Sequence, residues 1–473
     1  MTHLRQRISA SIFRGVGLPD VSLDAVTWDF SDTNLPTAYR SVSDWEDRIP
    51  AGTTRVNIQT ASSDFYTNLK ATVDAASGPV LVNLSEGDYV LDQFRMIGAS
   101  GDPTYAFGFW FGMKFRGFTG RGYDKTFVSM KANSMTQAQL DKLATMTQSS
   151  FAPNQMGMFR LDSSPSSPFF LGGLTFRAAN QNPLTTIASD ITGVQRPTTP
   201  QPAPHQGPTM YSDTTGAGVV SHVRFQGAGK AWMSQPPFEM ANFTSARSRI
   251  SFYSCEFDGR ISPAYDASRP RKCVPWMGND EYESRMFDTW LHHSNVSRYA
   301  ANDEGMSTSG RVYALTRCKL DHIGETQNDG LGGFTNATPL GWESTNAELI
   351  ITDVIVSQDN GNTGPSGAGI AQHLQLTHVG DSSSDTAGGR MRVYGGKFLQ
   401  PIWTQLDGWL CIRATPSRWV TDGYANTIFV YPNSDGSGTR KQPWVYSGTW
   451  PPTAAQIAAA GVTKDSHYLV RNS

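Results

Sequence analysis

The chain has 473 residues, with 39 Lys and Arg against 41 Asp and Glu, a formal net charge of −2 and only 17% charged residues. No basic run exceeds the short cluster at 269–272, so the sequence lacks the electrostatic footprint that nucleic-acid binding leaves. With 45 Gly and 11% aromatics it is too aromatic for disorder and too poor in Leu, Lys and Glu for a helical enzyme, which points to a β-rich protein.

At the N-terminus, Leu4, Ile8 and Ile12 predict a short amphipathic helix with Arg5, Arg7 and Arg14 off the apolar stripe. A helix this short needs a surface to lie on. The same stretch starts basic, as a signal peptide does, but Arg5, Arg7, Ser9 and Ser11 interrupt any apolar segment, so it reads against export by that route. No apolar run approaches the roughly 20 residues of a membrane span, and no membrane insertion is expected. Residues 1–60 read as an extended N-terminal arm. Ser62, Ser63 and Asp64 then offer an N-cap to a helix with the stripe Phe65, Leu69 and Val73, which Gly78 and Pro79 stop. Val80, Val82 and Leu84, a turn at 85–88, and Tyr89, Val90 and Leu91 follow as two strands.

Residues 94–130 are dense in Phe, Gly and Met, and 135–146 predict an inserted helix that buries Ala138, Leu140, Leu143 and Ala144. The segment 194–208 holds five prolines, can neither pair in a sheet nor coil, and is a surface loop. Around it runs a recurring alternation that ends in two apolar residues separated by one. The pairs are Leu174/Phe176, Val223/Phe225, Cys255/Phe257, Ser294/Val296, Cys318/Leu320, Val354/Val356 and Gly396/Phe398. Residues two apart on a strand share a face, so the pairs point to a core while Thr175, Arg224, Glu256, Asn295, Lys319, Ile355 and Lys397 point away. The intervals, from 24 to 49 residues, exclude a clean tandem repeat. They suit a solenoid whose turns each add a short strand and let loops bulge between them. A β-sandwich with one wet face is the alternative. Past this ladder, 403–419 is aromatic-rich, 427–431 alternates, and 449–470 reads as a capped helix and a final strand closing the far end. The organisation expected is an arm at 1–60, a solenoid at 61–448 and a capping segment at 449–473.

Cys255, Cys273, Cys318 and Cys411 lie far apart without metal-ligand spacing and read as free, buried thiols. Glu256 and Asp258 share the outward face of one strand, and Asp321 takes the equivalent slot two passes later, with Ser297 between. Strand spacing of about 4.8 Å puts Asp258 and Asp321 about 9 to 10 Å apart. That is at or beyond the wide end of the roughly 6.5–9.5 Å window of inverting glycosidases. The plainer reading is a turn-capping Asp258 before Gly259 and a solvated Asp321. His292, His293, His322 and His373 fall in different passes, and neighbours 292 and 293 face opposite ways on a strand, so neither a metal nor a cofactor is expected. No nucleophile elbow, zinc-protease, P-loop or dinucleotide fingerprint is present. Among the 12 tryptophans, Trp276, Trp290, Trp342, Trp403, Trp409 and Trp419 lie among polar residues and are candidates for docking the apolar faces of sugar rings. Packing inside wide passes or at a subunit interface is the competing reading.

The helix, strand, acidic-Gly turn and strand at 65–91 resemble the opening of the right-handed parallel β-helix of phage tailspikes and pectate-lyase-like proteins. The stretches GRGYDKTF (120–127), APNQMGM (152–158), GGLTFR (172–177), QPAPHQ (201–206), QPPFEMAN (235–242), CEFDGR (255–260), WLHHSNVSRY (290–299), GWES (341–344), QHLQLT (372–377) and YGGKF (394–398) extend the likeness. Together they make the whole chain resemble a β-helix-type minor tail protein of tailed phages infecting actinobacteria. The resemblance implies an all-β, right-handed parallel β-helix closed by capping helices. It also implies a virion component at the tail tip or fibre, made in the host cytoplasm, and packed as a homotrimer among other tail proteins. None of the quoted stretches is catalytic. A structural, adhesive protein that engages a host cell-envelope glycan is the expected function. A glycan depolymerase working through Asp258, Asp321 or Glu256 is the alternative.

Overall fold

The computed structural model describes residues 54–58, 65–91, 95–96, 106–110, 114–130, 156–161, 168–178, 210–212, 217–226, 238–240, 248–258, 276–277, 282–294, 312–323, 340–342, 348–357, 374–376, 390–399, 409–414, 428–449 and 452–472. The helices expected near residue 8 and at 135–146 and the proline loop at 194–208 fall outside them. The described residues are mostly strand, with two helices, α1 (Phe65–Ala75) and α2 (Ala454–Ala459). Neither helix is long and apolar enough to cross a membrane.

The fold is all-β and dominated by one 18-stranded sheet in which every pairing is parallel. This sheet is bent along its length. Each pass contributes a first leg, a corner and a second leg, as in Ser248–Tyr253, then Ser254 and Cys255, then Glu256–Asp258. In Phe169–Ala178 and Ala217–Gln226 a single strand runs through both legs. Between passes the chain adds one strand to a second sheet (Ala106–Trp110, Met156–Arg160, Met210–Ser212, Phe238–Met240, Trp276–Met277) or a third (Leu340–Trp342, Leu374–Leu376, Cys411–Ala414).

The corner is the same in successive passes. Gly173, His222, Ser254, Asp288, Arg317, Asp353 and Gly395 stack in register, with φ between 50° and 63°. A left-handed conformation costs a residue with a Cβ about 1–2 kcal/mol, so a side chain there needs compensation. Arg317 and Asp288 supply it to each other: Nε and Nη2 donate to the two carboxylate oxygens at 2.6 and 2.7 Å. The backbone also gains, since Ser254 N donates to Phe287 O at 2.9 Å and Arg317 N to Thr352 O at 2.8 Å.

Inside the bend, the residues two before, one after and three after the corner residue point into one core, as Phe252, Cys255 and Phe257 do around Ser254. Phe176, Phe225 and Phe257 stack face to face at 5.7 and 5.0 Å, and Leu291, Leu320, Val356 and Phe398 continue the row. Five of the expected pairs fill these inward slots with both members, and of Gly396/Phe398 only Phe398 is buried. The seventh does not fill them. In the pass after Cys255/Phe257 the pair is Thr289/Leu291, because Phe257 registers with Leu291, and Ser294 registers with Ile323 beyond it. Thr289 fills a small buried slot by donating its hydroxyl to Phe287 O at 3.0 Å, so a polar residue occupies a position that its neighbours fill with Val or Cys.

Helix α1 buries Phe65, Tyr66, Leu69 and Val73 against the first passes, and Phe65 meets Tyr89 at 5.1 Å. The Tyr89 hydroxyl donates to Ile58 O at 3.0 Å. Ile58 belongs to Thr54–Ile58, which pairs in parallel with Val80–Leu84. The main sheet therefore takes in five residues of the segment expected as the arm. At the far end, Thr453 caps α2 reciprocally with Gln456. His467–Asn472 then inserts between Cys411–Ala414 and Gln442–Tyr446 in the third sheet, where Leu469 packs with Trp409, Cys411 and Ile457.

Candidate functional site

The chemistry-bearing side chains gather on the outward face of the second leg. Register aligns Thr175, Arg224, Glu256, Trp290 and Lys319 in one row, and Gln226, Asp258, His292 and Asp321 in the next. Thr175 donates to Tyr123 O, and the Arg224 guanidinium lies 4.8 Å from the centre of the Tyr123 ring, so the loop at 120–125 covers the start of this face. Trp290 stacks on His292 with ring centres 3.8 Å apart, and the Lys319 ammonium sits 5.2 Å from the Trp290 ring.

Glu256 is the centre of the arrangement and is fully buried. One carboxylate oxygen accepts from Arg224 Nε at 2.6 Å, and the other lies 3.0 Å from His292 Nε2. His292 Nδ1 in turn faces Asp258 Oδ1 at 3.5 Å. Asp258 and His292 are themselves 1% and 0% exposed. Burial pushes the Glu256 carboxyl up, but the His292 hydrogen bond, the charges of Arg224 and His292 and the Arg224 hydrogen bond outweigh it and hold the group down at about 2. Glu256 is thus a permanent anion near neutral pH and a poor proton carrier.

This geometry corrects several sequence-based expectations. Glu256 does point away from the core, yet it is not solvated, because partners from neighbouring passes close over it. Asp258, expected to cap the turn before Gly259, is a buried neighbour of an imidazole, and Gly259 lies outside the described residues. The residue between Asp258 and Asp321 is His292, not Ser297, since Asp258 registers with His292 and His292 with Asp321. An inverting pair of carboxylates needs an open gap for water and sugar, and here an imidazole occupies the intervening position. In the sequence His292 and His293 face opposite ways and carry no ladder signal of their own; the signal that finds His292 is the corner, which aligns Trp290 with Glu256 and His292 with Asp258.

The tryptophans divide. Trp290 and Trp409 are 4% and 7% exposed and pack in the interior of their surroundings, so neither presents a face to a sugar. Trp276 and Trp342 sit on the last strand of the second sheet and the first of the third. Trp403 and Trp419 lie outside the described residues. Aromatics absent from the sequence-based list stand nearer the surface: Tyr394 and Tyr431, both half-buried, stack at 4.9 Å on the outward side of the first leg. Arg440 lies 5.2 Å from the ring of half-buried Phe429 on the same strand as Tyr431. Cys255, Cys318 and Cys411 are free, buried thiols, and burial pushes Cys318 up to about 12, so these sulfurs serve as small apolar groups. Among the described residues, Glu256, Asp258 and His292 are the group whose donor atoms could share a metal ion, all within 4.8 Å of one another.

No family model, no curated protein and no solved structure matches the chain.

Proposed function

We propose that this chain is a structural, adhesive component of a phage tail, a right-handed parallel β-helix that presents a rigid body to a glycan of the host envelope. The observation that carries the choice between adhesion and depolymerisation is the burial and pairing of Glu256 and Asp258. A hydrolase or lyase needs a carboxylate that reaches substrate and changes its protonation near the working pH, whereas Glu256 is sealed and held ionised. The order of strands, with first leg, second leg and a strand of a further sheet recurring in parallel, suits a three-faced solenoid. The resemblance to phage minor tail proteins supplies the biological setting, with other tail proteins and identical copies as partners. Among the described residues, the half-buried, stacked Tyr394 and Tyr431 offer an aromatic surface to sugar rings.

The test is incubation of the purified protein with host cell-envelope polysaccharide. Binding without new reducing ends or unsaturated products is the expected result, with Tyr394→Ala and Tyr431→Ala weakening it. Product formation that disappears in Asp258→Asn sinks the reading in favour of a depolymerase. Location of the chain in images of intact virions checks the setting separately.

A further inference from the structure

We propose that Glu256, Asp258 and His292 form a binding site for one divalent transition-metal ion, with Zn²⁺ as the probe. The inference is independent of glycan binding and of where the protein resides. Three atoms within 4.8 Å of one another share a centre no more than about 2.8 Å from each, against roughly 2.0–2.2 Å for zinc bonds to imidazole and carboxylate. Side-chain shifts of about 0.6–0.8 Å therefore bring all three groups onto one ion. The nitrogen shared with Glu256 is His292 Nε2, 3.0 Å from Oε1, a separation at which one ion can stand on both, with Asp258 as the third donor.

The elements that deliver these groups are rigid. Glu256 and Asp258 share one strand, and His292 lies on the strand paired directly beside it, with Asp258 opposite His292. Arg224 fixes one oxygen of Glu256 at 2.6 Å and leaves the other turned toward the imidazole, and stacking on Trp290 fixes the ring plane. Outer partners of this kind orient ligands in metal centres. A mixed imidazole and carboxylate set suits zinc and its neighbours in the transition series better than magnesium or calcium.

The experiment uses the full-length chain, stripped with a chelator and titrated with Zn²⁺ by calorimetry beside Asp258→Asn and His292→Gln. One ion per chain, with affinity falling about tenfold or more in each variant that remains folded, is the expected result. Uptake that is equal in wild type and both folded variants places the ion on other groups and overturns the proposal. If the variants do not fold, X-ray absorption at the zinc edge of the loaded wild type decides. A first shell of imidazole nitrogen and carboxylate oxygen near 2 Å supports the site. A shell of water oxygens alone, or no uptake, overturns it and leaves the cluster held by protons and Arg224.

Discussion

The inward and outward rows of the second leg stand on the same strands, one residue apart, and in the middle passes both are buried, yet different forces hold them. Phe176, Phe225 and Phe257 form a column of stacked rings in a core of Val, Leu and Cys. Arg224, Glu256, Asp258 and His292 form a column of charge and hydrogen bonding with Trp290 as its apolar wall. Packing is non-directional and tolerates exchange of one apolar residue for another of like volume. A buried ion pair depends on every partner, because removing one leaves a charge with no water to receive it. The stack thus has a forgiving inner face and an unforgiving outer one.

Four expected outcomes sharpen that contrast, from largest to smallest. Gly117→Ala is the most severe, since a Cβ there would stand 2.0 Å from Phe170 O on a backbone at φ +111°, and it is expected to abolish soluble folded protein in an expression and circular-dichroism trial. Phe257→Ala, fully buried in the aromatic column, should cost about 3–5 kcal/mol by denaturant unfolding, while Phe257→Leu should keep most of the stability. Arg317→Ala removes the bidentate partner of Asp288 at a strained corner and should cost about 1.5–3 kcal/mol. Thr453→Ala, which opens the capping box of α2, should cost about 1 kcal/mol.

Acid separates the two rows without mutation. Glu256 titrates lower in the folded chain than its ordinary value of 4.5, near 2. Its contribution is therefore fully present above about pH 4.5 and is lost as the pH falls through the range down to about 2. Unfolding midpoints measured between pH 6 and 2 should drop more steeply for wild type than for Glu256→Gln, whose side chain does not titrate.

The inner row was legible in the sequence because apolar side chains two apart have one physical reading on a strand, and five of seven pairs are buried as that reading requires, with Phe398 alone buried in a sixth. Thr289/Leu291 breaks the pattern because Thr289 is polar and Trp290, the outward residue, is more apolar than the inward one, which inverts the alternation. The corner resolves this: Phe287, Asp288, Thr289, Trp290 and Leu291 superimpose in register on Tyr253, Ser254, Cys255, Glu256 and Phe257. Left-handed corners at His222, Asp288 and Arg317 leave no compositional mark, since glycine occupies only Gly173 and Gly395 of the column. The burial of Glu256 was illegible for another reason. Its partners Arg224 and His292 lie 32 and 36 residues away, and which residue faces which across passes depends on loop lengths that periodicity does not encode.

Thermal unfolding of Glu256→Ala beside Phe257→Ala tests most directly the claim that the outward row is a buried, paired part of the fold. Comparable losses of about 3–5 kcal/mol are expected, since one variant opens a cavity and the other leaves Arg224 and His292 facing an empty anion site. A Glu256→Ala protein within about 0.5 kcal/mol of wild type, as a solvated outward carboxylate would give, contradicts it.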